Sequence, residues 1–364
     1  MLRSPGGQRH PRCPSLSGAA KLSVMSAPDP NPAPVGVLVR RGERVESRHR
    51  VSCAVADAGG TLRHAAGASG IPVFPRSAVK PLQALVLLES GAAQDFGVSQ
   101  AELALACASH GGEPPHVELV RSWLARLGLD QGALECGSHP PTHGPSAERL
   151  IAAGRAPEPA HNNCSGKHAG FLTVARHIGA PLAGYIAADH PVQRRVAAAL
   201  AEMAGIDVLP EPATDGCGIP TYPMTLAQLA TAMARLADPQ ALVAGRRAAC
   251  REICGAMSAH PQLVAGSGRP CTAIMTAAPE VVVKTGAEGV YAAALPALRL
   301  GLALKVEDGG GRAAPVALIA LLEALGALPA PARGRLAELA RPVLRNHARK
   351  VVGRIEPAPG WPGF

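Results

Sequence analysis

Strand-like patterning in this chain is confined to its two ends, and a long stretch of helical patterning separates them. Val35 to Val39, Val51 to Ala58 and Thr61 to Ala65 carry the dense apolar and β-branched residues of strands, with a turn at Ala58-Gly59-Gly60. The same signature returns only at Val281 to Lys284, Val290 to Leu295 and Gly301 to Val306. Between them the spacing predicts helices over 99–107, 117–129, 170–178, 192–204, 225–236 and 242–257, and two more follow the last strand over 315–325 and 335–345. Strands that cannot complete a sheet at either end must pair across the whole chain, so the expected class is α+β. The sheet subdomain is expected from residues 35–75 and 270–352, and the helical subdomain from 76–269. Residues 1–34 are Pro-rich and read as a disordered tail, and 353–364 as a second tail.

Composition narrows the function classes. The 364 residues are 47% hydrophobic and 17% charged, enough to build a large core. The net charge of +9 suggests an anionic partner, but aromatic residues are only 2%, too few for the stacking platforms of single-strand binders. The excess is expected to be solvated surface, with no nucleic acid and no membrane as partner. Nine scattered cysteines do not form a secreted disulfide framework, and no apolar run reaches the 18 residues of a membrane span. No compact apolar leader is evident near the start, so the expected compartment is the cytoplasm.

Against that background Ser77-Ala78-Val79-Lys80 opens an apolar run that reads as a helix. Residues three apart share a helical face, so a hydroxyl and an amine would point the same way. A lysine can take a serine's proton only where burial or a neighbouring cation depresses its pKa. Lys284-Thr285-Gly286 at the end of a late strand supplies such a cation, and Ser-x-x-Lys with Lys-Thr-Gly is the pairing of penicillin-recognising acyl-enzymes. Cys164-x-x-Lys167 and Asp215-x-Cys217 place two thiols, an amine and a carboxylate on polar turns. Two thiols suit a soft dication such as zinc, although spacing alone favours two buried free cysteines over a metal site.

The segments 74–81, 107–113, 161–171, 215–222, 266–272 and 284–290 together resemble the asparaginase II family, the Rhizobium-type thermolabile L-asparaginases. The block Asn162-Asn163-Cys164-Ser165-Gly166-Lys167-His168 is the most specific part of that resemblance. It implies a serine β-lactamase/glutaminase-like fold, a homodimer, and hydrolysis of L-asparagine to L-aspartate and ammonia through a serine acyl-enzyme. It also implies two Ser-Lys tandems, Ser77 with Lys80 and Ser109 with Lys284. Ser77 is expected as nucleophile, with the start of its helix supplying oxyanion donors, and Lys80 as its base. Arg76, His110, Asn163, Asp215 and Arg269 are the expected substrate-binding residues. Cys164, Lys167 and Cys217 are the expected zinc ligands, the metal assisting rather than performing the chemistry. A β-lactamase or D,D-peptidase relative uses the same boxes and is the alternative enzyme. A basic binding protein without catalysis would leave the lysine–serine pairs unexplained.

Overall fold

The computed structural model describes residues 32–364; the tail expected over 1–34 lies almost wholly outside them. Eight strands form the main antiparallel sheet: β1 (Val35–Arg41), β2 (Arg44–Asp57), β3 (Leu62–Ala66), β4 (Val282–Thr285), β5 (Val290–Leu295), β6 (Leu300–Val306), β7 (Val343–Arg345) and β8 (Val351–Pro357). The order across the sheet is β7-β8-β1-β2-β6-β5-β4, with β3 also paired to β2. The two ends of the chain do make one sheet, as their patterning predicts.

The last strand corrects the expected boundaries. Residues 353–364 are not a tail, since β8 lies between β1 and β7 with Val39 opposite Ile355 and Arg40 opposite Arg354. Its alternation is half-hidden: Gly353 and Ile355 are buried while Arg354 and Glu356 are charged, and a single buried aliphatic residue is a weak strand signal. The helix expected over 335–345 instead runs Ala330–Ala340 and stops before Pro342, leaving 343–345 free to become β7.

Among the helices that position the site are α1 (Gln100–Ala106), α2 (Pro114–Arg126), α3 (Gly144–Ala152), α4 (Ser165–His177), α5 (Leu226–Ala237) and α6 (Ala314–Ala324). Ser99 and Glu102 close the predicted capping box of α1. Helix α3 is not among the expected helices, its proline, glycine and short length concealing it. The single helix expected from Ser77 to Gly91 is broken into a 3₁₀ turn, Arg76–Val79, and two short helices, Lys80–Gln83 and Leu85–Glu89. Pro81 has no N–H to return to the Ser77 carbonyl, so the first turn closes instead through the Lys80 N–H. No described helix is long and apolar enough to cross a membrane.

Helix α5 lies unusually close to the sheet. Its seat is a stripe of small, fully buried residues in register on β2, β6 and β5: Gly301 beside Ala56 and Ala294, and Ala303 beside Ala54 and Ala292. A Cβ on Gly301 would meet the Ala230 carbonyl at 2.0 Å and the Ala234 nitrogen at 2.1 Å, so the backbone of α5 depends on that missing atom. Leu302 and Leu304 alternate onto the other face, and α6 packs against the same strand. The small residues abundant in the composition therefore set the spacing of the layers. Gly301→Ala is expected to destabilise the fold by about 1–3 kcal/mol through overpacking. Gly311→Ala, at a glycine with open space around it, is expected to change little. Denaturant midpoints that coincide for the two variants would refute the close-packing account.

Candidate active site

Four segments distant in sequence converge at the edge of the sheet. The 3₁₀ turn carries Arg76 and Ser77, and the next helix begins with Lys80. The end of α1 leads directly into Ala108-Ser109-His110. The turn before α4 supplies Asn163 and Cys164, and β4 supplies Lys284. Gly286 joins β4 to the serine turn, because a Cβ there would sit 2.5 Å from the Pro75 carbonyl oxygen. The Lys-Thr-Gly glycine thus permits the strand end and the Ser77 turn to touch.

At the centre Ser109 Oγ lies 3.0 Å from Lys80 Nζ and 2.8 Å from Lys284 Nζ. Both lysines are fully buried, and Ser109 is nearly so. Lys80 also donates to the carbonyl of Ala108 and, at 3.4 Å, to that of Asn163, which uses all three of an ammonium's donors. Lys284 donates to the Thr285 carbonyl at 2.8 Å. Burial first, and then the Lys80 charge, lower the Lys284 pKa to about 7. The arrangement is one hydrogen-bonded chain, Lys80–Ser109–Lys284, in which the lowered pKa makes Lys284 the amine ready to take a proton.

This geometry differs from two independent Ser-Lys tandems. Lys80 is bonded to Ser109, and among the described residues no hydrogen bond joins it to Ser77. Ser77 instead borders a cavity of about 280 Å³ that Arg76, Ser109, Asn163, Cys164, Asp215 and Arg269 help to line. Arg76 adopts φ of +52°, a left-handed conformation costly for a residue with a side chain, and its guanidinium is ion-paired with Asp215. Burial favours the neutral acid of Asp215, yet the nearby Lys167 charge, the Gly216 N–H and Arg76 outweigh it and keep the pKa lowered. Arg269 lines the same cavity and makes no ion pair among the described residues. The expected oxyanion donor on the serine turn is partly spent, since the Ala78 N–H bonds to the Pro75 carbonyl.

His110 does not take the place expected of a substrate-binding residue. It is fully buried: its Nδ1 accepts from the Gly112 N–H at 3.1 Å, so its Nε2–H is left to donate to Ser165 Oγ at 2.9 Å. Burial drives its pKa well below the usual histidine value, so the ring is a neutral tie between the Ser109 turn and the start of α4. His139, in a loop between α2 and α3 rich in His and Pro and not among the expected site residues, borders the cavity and accepts from the Asn163 N–H at 3.0 Å. Thr285 also lines it, and its carbonyl orients Lys284. The clue to His139 was that loop's composition; for Thr285 it was adjacency to Lys284.

The sulfur group lies against the same cavity. Lys167 Nζ is 3.1 Å from Cys217 Sγ, and both Cys164 and Cys217 are buried. Donation from the Cys217 thiol holds the Cys164 thiol well below its usual pKa, so the two sulfurs share one negative charge beside Lys167. Burial opposes the Lys167 charge, but Cys164 and Cys217 outweigh it and raise its pKa. Among the described residues no three His, Cys, Asp or Glu side chains gather as metal ligands. The donors that do converge, two sulfurs and an amine, fit a soft dication once Lys167 and Cys217 give up their protons.

With the geometry established, comparison with known proteins decides the family. The family model described as L-asparaginase II matches residues 37–357. The chain belongs to that family. The match reaches through β8, beyond the boundary expected from the sequence. No curated protein matches it. Among solved structures it is similar to Mglu in its glutamate form, with 17% identity, a TM-score of 0.45, and coverage of 77% of this chain and 61% of that one. It spans about three fifths of that protein's length. A native-form structure of Mglu gives 18% identity and a TM-score of 0.43, covering 76% of this chain and 64% of that one. A β-lactamase from Mycobacterium bovis gives 16% identity and a TM-score of 0.37, covering 80% of this chain and 95% of that one.

Because the neutral form of Lys284 is the one able to accept a proton, amide hydrolysis is expected to rise as pH increases through about 7 and then level off. Replacing Lys80 by Met removes the neighbouring charge, so in that variant the rise should move to higher pH. A kcat/KM profile flat from about pH 6 to 8 in the wild type would remove Lys284 from the role of base.

Proposed function

We propose that this asparaginase-family hydrolase converts L-asparagine to L-aspartate and ammonia through a serine ester on Ser77. The observation that carries the reading is the Lys80–Ser109–Lys284 chain ending in a small polar cavity that Ser77 borders. Ser109 is already committed to two lysines, whereas the Ser77 hydroxyl has no other hydrogen-bond partner among the described residues. Ser77 attacks the side-chain amide carbonyl, and its proton passes by way of Ser109 to neutral Lys284. The resulting Lys284 ammonium returns a proton to the departing nitrogen, which leaves as ammonia. Water then attacks the ester with Lys284 again as base, releasing aspartate and restoring Ser77. Lys80, bonded to Ser109 and to two backbone carbonyls, holds the Ser109 hydroxyl in place for the relay. This moves the base from Lys80, the expected choice, to Lys284.

The cavity carries groups suited to an amino acid's two charges. Asp215 is an anion for the α-ammonium, and Arg269 is a cation without a carboxylate partner for the α-carboxylate. Asn163 and Arg76 complete the polar wall. Zinc is part of the same proposal: Cys164, Lys167 and Cys217 would hold it, and it would supply a Lewis-acid contact for substrate in the adjoining cavity. The homodimer implied by the family resemblance belongs to the proposal too, and light scattering measures it directly.

Ser77→Ala is expected to lower kcat by about 10³-fold or more with the fold intact. Mass spectrometry of quenched enzyme should find the acyl group on the peptide bearing Ser77. Acylation of Ser109 would exchange the two serine roles. Ammonia release from asparagine, beside glutamine and a chromogenic β-lactam, tests the substrate; cleavage of the β-lactam alone would favour the penicillin-recognising alternative.

For the metal, purified protein is expected to contain about one zinc per chain, bound more weakly as pH falls because Lys167 and Cys217 must lose protons. Chelation should raise KM more than it lowers kcat. Zinc-free protein that is fully active, and a Cys164→Ser variant with unchanged KM, would return the two cysteines to the role of buried thiols.

A further inference from the structure

A second cavity, of about 270 Å³, lies behind the catalytic turn and away from the reacting groups. Arg121 from α2, Arg149 from α3, and Arg155 and His161 from the segment before α4 border it together with Ser146. Glu158 accepts from Arg121, Gln131 and Arg155 and is held to a pKa of about 2, led by the bond from Gln131, so its oxygens are already taken up. Arg149 has no carboxylate partner among the described residues and donates only to Ser146 Oγ, at 3.2 Å. Glu118 reaches the rim but is exposed and forms no ion pair there.

His161 is 6% exposed, and its Nδ1 accepts from the Glu158 N–H at 3.1 Å, which leaves the proton on Nε2. That Nε2–H has no hydrogen-bond partner among the described residues. That donor and the unpaired Arg149 guanidinium both border the cavity, where an entering anion can accept from them.

We infer that this cavity binds a compact tetrahedral oxyanion of the phosphate class, held by Arg149, Arg121, Arg155 and His161. Donors reaching it from three separate elements converge on a tetrahedral group better than on a planar carboxylate, and guanidinium forks match phosphate oxygens two at a time. Gly112, at the end of the Ser109-bearing turn, forms part of the wall and packs against the His161 carbonyl. A bound anion would therefore brace the catalytic turn from behind. The inference does not depend on which amide the enzyme hydrolyses.

Isothermal titration with inorganic phosphate at fixed ionic strength, with chloride as control, tests it. Wild-type protein should show saturable binding, and Arg149→Ala should weaken it by about tenfold or more, the loss of one charge-assisted pair. Arg269→Ala, in the catalytic cavity, should leave it unchanged. Arg155→Ala is the second variant, with thermal melting to confirm that each folds. Titration of glycerol 3-phosphate alongside distinguishes the free ion from a phosphoryl ester, the tighter of the two being the better fit. Absence of saturable binding, or binding lost in Arg269→Ala and retained in Arg149→Ala, would overturn the site.

Discussion

Two lysine side chains buried side by side cannot both hold a full charge without compensation, and the architecture around Ser109 answers that constraint. Lys80 is surrounded by oxygens: two backbone carbonyls and the serine hydroxyl. Lys284 has one carbonyl and the same hydroxyl, and it is the one whose pKa falls. Burial and the neighbouring Lys80 charge lower the Lys284 pKa and make it the amine ready to take a proton. Supplying Lys80's acceptors requires the end of α1 and the turn before α4 to meet, and supplying Lys284 requires β4 to reach both. The tie made by His110 to Ser165, and the bare Gly286 against Pro75, keep those segments in place. The resting polarity of the site is thus a property of the backbone around it as much as of the two side chains.

The sulfur group follows a related logic with the opposite sign. There the buried lysine faces two thiols, and its charge is stabilised rather than suppressed. The buried amines of Lys284 and Lys167 thus shift in opposite directions, one lowered by burial and a neighbouring cation and the other raised by the thiols beside it. Residue type alone could not have assigned these roles.

Much of this was legible from the sequence, and the gaps have physical causes. Ser77, Lys80, Ser109 and Lys284 stand in motifs whose chemistry is local, and the fold does bring all four to one place. Their pairing was not legible, because whether Lys80 turns to Ser77 or Ser109 depends on carbonyls contributed by segments remote in sequence. His110 looked like a ligand for substrate because histidine in a polar turn has the same appearance whether its ring faces solvent or protein. Strand β8 was missed since Arg354 and Glu356, paired with each other and with Arg40, look like a solvated tail until β1 lies alongside. The small-residue stripe beneath α5 was present in the composition as an excess of alanine and glycine, yet only register shows that they form a single seat.

The place of β8 has a consequence for how the molecule is made. On the ribosome, β1 and β2 emerge first, but β1's outer partner is encoded by residues 351–357 and β2's by 300–306. Until nearly the whole chain has been released, the first strands present two unpaired edges, and Ser109 waits for a lysine that has not yet been synthesised. Contacts of such long sequence separation form late and leave early segments open to wrong pairing. Catalytic competence therefore waits for β4, and a nascent chain stalled before that strand has one of the two buried amines and no means of tuning it.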